Sequence, residues 1–234
     1  MPELESITIR GFKSIASIEG LRLRPVNVLI GSNGSGKSNF IEVFAFLHAV
    51  RQGRLRDYVA RAGGAERVLH FGSKVTPKLE IQVSFRDGVN QYRLTLEPTA
   101  DDELFPSSEQ VAYWNKAKYP APYAESLPAR GKEAGISGPT TSKVADYVRS
   151  HLELWRLYHF HDTSANSPMK KTGDVNDNDH LRPDGSNLPA FLYYLAQRQK
   201  PSYSLIRRTV QRVAPFFDDF VLSPQKLNPG KIRL

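Results

Sequence analysis

The chain has 234 residues, 32 Lys+Arg against 24 Asp+Glu, a formal charge of +8 and no cysteine. That length suffices for one large domain or two small ones, and 40% apolar with 24% charged residues argues against a disordered tail or a membrane protein. The missing cysteines exclude disulfides, thiolate zinc sites and a cysteine nucleophile; they fit a cytoplasmic location, as does an N-terminus without the basic-then-apolar pattern of a secretion signal.

Residues 4–10 alternate as a strand, with Ile7 and Ile9 on one face, and Gly11 breaks the run. A second strand is predicted from Ile18 to Leu23. Val26-Asn-Val-Leu-Ile30 is a short apolar run of the kind that forms a buried strand, and it leads into Gly31-Ser-Asn-Gly-Ser-Gly-Lys-Ser38. From there the period changes. Phe40, Val43, Phe44, Leu47 and Val50 follow helical spacing, and a second helix is predicted over Leu55–Ala62, stopped by Gly63-Gly64. Val68–Phe71 reads as a strand. Leu79, Ile81, Val83 and Phe85 alternate, Asp87-Gly88 turns, and Tyr92, Leu94 and Leu96 alternate back, which is a β-hairpin.

Residues 98–140 carry Pro98, Pro106, Pro120, Pro122, Pro128 and Pro139 and read as a long irregular insertion. A helix is predicted over Ser142–Leu152, a strand over Leu154–Phe160 and a polar loop over 161–187. Helices follow over Leu188–Gln199 and from Pro201, the latter lined by Leu205, Ile206, Val210 and Val213. Phe220–Leu222 and Lys231–Leu234 read as strand fragments. The expected partition is thus an N-terminal lobe over 1–97, an insertion over 98–140, and a helical and strand continuation of the lobe over 141–234. Positive charge is spread along the chain, with basic stretches at Arg51–Arg67 and Arg198–Arg212. These read either as solvated helix faces or as a surface for nucleic-acid phosphates.

Gly31 to Ser38 fits G-x-x-x-x-G-K-[ST] at every required position, between an apolar run and an amphipathic helix. Glycines let the loop turn tightly and bring backbone N–H groups close to phosphate oxygens, and the helix N-terminus adds partial positive charge. Lys37 has the reach for the β- and γ-phosphates, and the Ser38 hydroxyl suits Mg²⁺. Nucleotide binding is the firmest functional expectation.

Ile7-Thr-Ile-Arg-Gly-Phe-Lys-Ser14, followed by Val28-Leu-Ile-Gly-Ser-Asn-Gly-Ser-Gly-Lys-Ser-Asn-Phe-Ile41, resembles the opening of ABC-type ATPases of the SMC/RecF branch. Leu181-Arg-Pro-Asp-Gly-Ser-Asn-Leu-Pro-Ala-Phe-Leu192 is similar to a segment of bacterial ATPases in the AAA_21 group. The resemblance implies an α/β P-loop NTPase with an ABC-type antiparallel β-subdomain and a helical insertion. It implies ATP and Mg²⁺ as cofactors. Gly31, Gly34, Gly36, Lys37 and Ser38 would hold the triphosphate and metal, and Ser32, Asn33, Ser35 and Asn39 complete the segment. Lys13, in the G-F-K-S turn, would lie beside phosphate or on the surface. The implied action is ATP-driven closure of two heads through the nucleotide face, as a homodimer or with a partner chain, serving DNA maintenance or phage defence. DNA and an effector protein are the implied partners, with no membrane. A different reading is a nucleotide-gated interaction subunit, without catalysis of its own, that regulates an effector such as a nuclease.

The branch also carries a signature segment and an apolar strand ending in Asp-Glu, and neither is found after Ser38. Leu222-Ser-Pro-Gln225 lacks the glycine of a signature, and Phe216-Phe-Asp-Asp219 reads as a helix end running into a turn. The expectation is therefore the N-terminal part of a longer ATPase, incomplete for hydrolysis alone. His159, His161 and Asp162, with Asp177, Asp179 and His180 downstream, form a conceivable metal cluster without diagnostic spacing. His161 or Asp162 could instead stand where ABC-type sites place a γ-phosphate glutamine. Asp174, Asp177 and Asp179 do not match a calcium loop. A P-loop GTPase is disfavoured by the lack of N-K-x-D, and a P-loop kinase by the lack of a recognisable lid.

Overall fold

The computed structural model describes residues 4–158 and 167–233. They fall into two compact units, Met1–Arg156 and Leu157–Leu234.

In the first unit the chain runs β1 (Leu4–Phe12), β2 (Ile15–Arg22), α1 (Lys37–Arg51), α2 (Leu55–Ala62) and α3 (Ala65–Val68). Strands β3 (Leu79–Phe85), β4 (Asn90–Pro98), β5 (Leu104–Tyr113) and β6 (Tyr123–Ser126) follow, and α4 (Lys143–Leu154) closes it. The six strands form one antiparallel sheet in the order β2-β1-β3-β4-β5-β6. Two-residue alternation places apolar side chains in rows across the strands. Ile9 faces Ile81 and Ile81 faces Leu94; Ile7, Val83, Tyr92 and Val111 make the next row, and all of them are buried. The other face is polar, with Arg10 bound to Glu19 and Glu80.

Helix α1 closes the buried face with Phe40, Val43, Phe46, Leu47 and Val50, one helical stripe at 3.6-residue spacing. Its neighbour α4 adds Ala145, Val148 and Leu152, and the Ser142 hydroxyl caps it by accepting the Ala145 N–H at 3.2 Å. Trp155 packs edge-on against Phe44. At roughly 1.5–3 kcal/mol per buried large apolar side chain, this core outweighs any local propensity.

The second unit holds β7 (Gly173–Asp174), α5 (Leu188–Arg198), α6 (Lys200–Val213), β8 (Pro224–Gln225) and β9 (Asn228–Ile232), the strands ordered β7-β9-β8. Buried Asn187 organises the run before α5. Its amide donates to the carbonyls of Asp177 and His180 and accepts from the Arg182 N–H. The Leu181–Leu192 motif is thereby a closed loop feeding a helix, with Pro189 in the first turn.

Several expectations change. Val26–Ile30 forms no strand, and Val26, Val28 and Ile30 are 79%, 77% and 91% exposed. An apolar run becomes a buried strand only beside a partner strand, and this one has none among the described residues. Val68–Phe71 is not a strand. It is the end of α3 and a single bridge from Leu69 to Phe12. Residues 98–140 are not irregular throughout, since β5 and β6 extend the sheet. Pro106 fits inside β5 because β6 pairs only with Gln110–Tyr113, leaving Pro106 with a neighbour on one side. Leu154 ends α4, residues 155–158 are not a strand, and 159–160 lie outside the described residues. Residues 220–222 form no strand either. Leu205 and Val213 do not line a core, and α6 buries no residue.

Candidate functional site

The loop Gly31–Gly36 lies at the surface of the first unit and delivers the chain into α1. Gly36 is the residue before the helix, with φ +89°, a left-handed conformation that an L side chain adopts only at a cost. The first intrahelical bond runs from Phe40 N to Gly36 O at 2.9 Å. The N–H groups of Lys37, Ser38 and Asn39 therefore precede the helical ladder, and Gly36 has no side chain with which to cap them. No acidic residue occupies the first turn. Lys37 folds back over the loop, its Nζ 2.9 Å from Gly31 O, 2.7 Å from Ser32 O and 3.3 Å from Ser35 Oγ. Lys37 and the free N–H groups at the start of α1 are what the loop offers an incoming anion, while the Gly31 and Ser32 carbonyls are held by Lys37.

The G-F-K-S turn braces this loop from the side. Asn39 Nδ2 donates to Ser14 Oγ at 2.7 Å, and a Cβ on Gly36 would stand 3.1 Å from the same oxygen. Gly11 must be glycine there, because a Cβ would meet the Lys78 carbonyl at 2.8 Å and φ is +81°. Lys13 N donates to Val68 O, His70 N to Gly11 O, and His70 Nδ1 lies 2.7 Å from Lys13 O. The turn is thus stitched to residues 68–70 and to Asn39 in the first turn of α1. Lys13 itself reaches Glu42 on α1 as an ion pair, and Tyr58 donates to the same carboxylate at 2.8 Å. Burial, followed by this carboxylate, holds the Tyr58 phenol well above its ordinary pKa.

A family model described as "AAA domain, putative AbiEii toxin, Type IV TA system" matches residues 26–218. The chain belongs to the AAA_21 family. The match begins at Val26, just before the loop, and takes in both units. A comparison with curated proteins returns no match.

Membership makes this a nucleotide-binding, ATPase-like protein of the P-loop class. The residues present fit a triphosphate, because the donor set of loop amides, uncapped helix start and Lys37 suits an anion, with no carboxylate in that first turn. Ser38, exposed on the first turn, has a hydroxyl that suits Mg²⁺ bound to such phosphates. Of the other predicted residues, Ser32 and Ser35 contact Lys37, Asn39 contacts Ser14, and Asn33 and Gly34 form the exposed tip.

Phe216-Phe-Asp-Asp219 lies in the other unit. Phe216 is 93% exposed, and Asp218 and Asp219 pair with Arg207 of α6 at 2.9 and 3.7 Å. It is a turn after a helix, as its sequence suggests. His159, His161 and Asp162 lie outside the described residues, and among those described no group of three or more His, Asp or Glu could hold a metal. Asp177 is engaged by Arg182 at 3.0 Å. Sequence reasoning missed Ser14, Glu42 and Tyr58. Only Ser14 had a signal, its place in the G-F-K-S run; nothing in residue spacing pairs Lys13 with Glu42. Among the described residues no helix is long and apolar enough to cross a membrane.

Proposed function

We propose that this chain is the ATP-binding part of an SMC/RecF-like ATPase, in which Mg²⁺–ATP on the Gly31–Ser38 loop drives closure against a second head. The observation that carries this reading is the glycine-rich loop before an uncapped α1 with no acidic residue in its first turn, and Lys37 lying across it. Bound triphosphate would take over the role of the loop carbonyls as the partner of Lys37. Loop amides and the helix start would hold and orient the phosphates, while Ser38 supplies one oxygen to the metal. The metal, when bound, offsets charge on the phosphates. DNA is the partner favoured by the overall charge of +8 and by the exposed Arg208 and Arg212 on α6. Service in DNA maintenance or phage defence follows from that family type and that charge.

A second reading, a nucleotide-gated subunit that regulates an effector, is favoured by one observation. The exposed apolar run Val26–Ile30 adjoins the loop and borders a groove of about 850 Å³ with Leu4, Leu23, Phe40 and Phe44, which suits a protein partner.

Calorimetric titration of Mg²⁺–ATP into the chain and its Lys37→Ala variant tests nucleotide binding. Loss of a charge-assisted contact to phosphate is expected to weaken binding roughly 10- to 150-fold. Equal affinity in the two proteins would remove the loop from the site.

A further inference from the structure

The hairpin formed by β5 and β6 carries aromatic residues that the core does not use. Tyr113 and Tyr123 are direct partners across the two strands, and Trp114 and Tyr119 lie between them in sequence. Tyr113, Tyr119 and Tyr123 are 39%, 59% and 66% exposed. Among the described residues, none of the three packs its ring on another aromatic or hydrogen-bonds through its hydroxyl. Single exposed apolar side chains are ordinary on a protein surface, but three unengaged rings on one hairpin form a patch.

The patch stands on a fixed base. Trp114 Nε1 donates to Tyr119 O at 2.9 Å, and the N–H groups of Lys118 and Tyr119 both donate to Asn115 O at 3.0 Å. Trp114 N donates to Val89 O at 2.7 Å, and Lys116 bonds Asp87 O while its Nζ lies 5.3 Å from the centre of the Trp114 ring. The turn is therefore closed on itself and pinned to the connection between β3 and β4. Its charge has one sign. From Gln110 to Ala124 the only charged residues are Lys116 and Lys118, both exposed, and Lys118 makes no ion pair among the described residues. Strand β6 pairs with β5 alone, at the edge of the sheet opposite β2.

Unengaged aromatic faces with lysines and no carboxylate suit a chain of bases and phosphates, because every base has a π-face for a ring and every phosphate attracts a lysine. Protein interfaces, by contrast, are depleted in lysine. Within a duplex the bases are stacked on one another and closed to the rings, so the strand must be single. We propose that the β5–β6 hairpin binds single-stranded nucleic acid, with Tyr113, Tyr119 and Tyr123 stacking bases and Lys118 holding a phosphate. It rests on the nucleic-acid partner proposed above and gives that partner a surface and a strand state. Single-stranded DNA and RNA share this chemistry, so both serve as probes.

Fluorescence anisotropy of the full chain with a labelled oligothymidylate, a labelled oligouridylate and a labelled duplex of equal length tests it at low salt. The chain should bind the single strands in preference to the duplex, and whichever of DNA and RNA binds tighter names the source. Tyr119→Ala and Tyr123→Ala should each weaken single-strand binding roughly 5- to 150-fold, the range of one base–aromatic stack, while Tyr119→Phe and Tyr123→Phe keep it. Tyr119→Ala retains the carbonyl that holds Trp114, so it should melt with the parent, which separates lost stacking from lost folding. Lys118→Ala should weaken binding and reduce the slope of log affinity against log salt by about 0.7. Unchanged single-strand affinity in both alanine variants overturns the proposal, as does tighter binding of the duplex. Loss of binding in the double variant Arg208→Ala, Arg212→Ala but not in the tyrosine variants also overturns it, and leaves a DNA partner on α6. If the chain binds none of the three probes, the proposal falls together with the nucleic-acid reading, and the aromatic patch is left to a protein partner.

Discussion

Glu109 shows how far a single buried charge can shape this protein. It is 4% exposed on β5, inside an otherwise apolar layer. Its carboxylate accepts the Tyr92 hydroxyl at 2.8 Å and the N–H groups of Gly135 and Ile136 at 2.6 and 3.0 Å. The two backbone bonds tie the 3₁₀ turn Gly135–Ser137 to the sheet, and the Tyr92 bond links β5 to β4. Burial nevertheless dominates and raises the Glu109 pKa above the ordinary carboxylate value, against the three hydrogen bonds that lower it. A raised folded-state pKa means that Glu109 contributes most fully below its unfolded pKa, and that the contribution is lost as pH rises through the folded value. Replacing it with Gln removes that titration and keeps an acceptor. In urea unfolding, Glu109→Gln should therefore gain on the parent as pH climbs from the unfolded carboxylate pKa through the raised one. A gap that stays constant with pH would show that burial does not dominate. Glu109→Ala leaves three donors stranded and should cost about 3 kcal/mol below the unfolded carboxylate pKa, with the cost shrinking as pH rises through the raised one.

At the scale of elements, legibility follows from whether a segment carries its own partner. The β3–β4 hairpin was readable because alternation and the Asp87-Gly88 turn are local, and α1 and α2 because their apolar stripes are. Strand β5 was hidden by Pro106, whose tolerance depends on how far β6 extends. Val26–Ile30 was misread for the opposite reason, since its composition is that of a buried strand while its burial depends on a neighbour elsewhere. The loop itself matches its motif at Gly31, Gly36, Lys37 and Ser38, and the bonds of Lys37 back onto it are local in sequence. The contacts of Ser14 with Asn39 and of Lys13 with Glu42 are long-range, and no spacing encodes them. The two kinds of apolar residue should behave differently. Leu47→Ala, at a fully buried position, should cost about 2–5 kcal/mol in urea unfolding. Ile30→Ser should stay within about 0.5 kcal/mol, as exposed sites do. A cost for Ile30→Ser comparable to that for Leu47→Ala would show that the 26–30 segment is buried in solution.

For the molecule as a whole, the exposed apolar run and the phosphate-type loop are one continuous stretch of chain, from Val26 to Ser38. Whatever orders the loop acts directly on this exposed apolar segment. Triphosphate bound at Lys37 would replace that side chain's bonds to the Gly31 and Ser32 carbonyls, changing the segment that carries Val28 and Ile30. Nucleotide and association should therefore be linked, each strengthening the other by the same factor. Sedimentation velocity of the chain should show self-association with Mg²⁺–ATP and less without it, and chelation of the metal should reverse the gain. Lys37→Ala should abolish the response by losing the ligand. Val26→Asp with Val28→Asp should abolish it differently, since a charge on the apolar run opposes burial there while the loop still binds ATP in calorimetry. Association that ignores ATP, or that survives the two aspartates, would place the contact surface elsewhere and leave Val26–Ile30 as an exposed run with no partner of this kind.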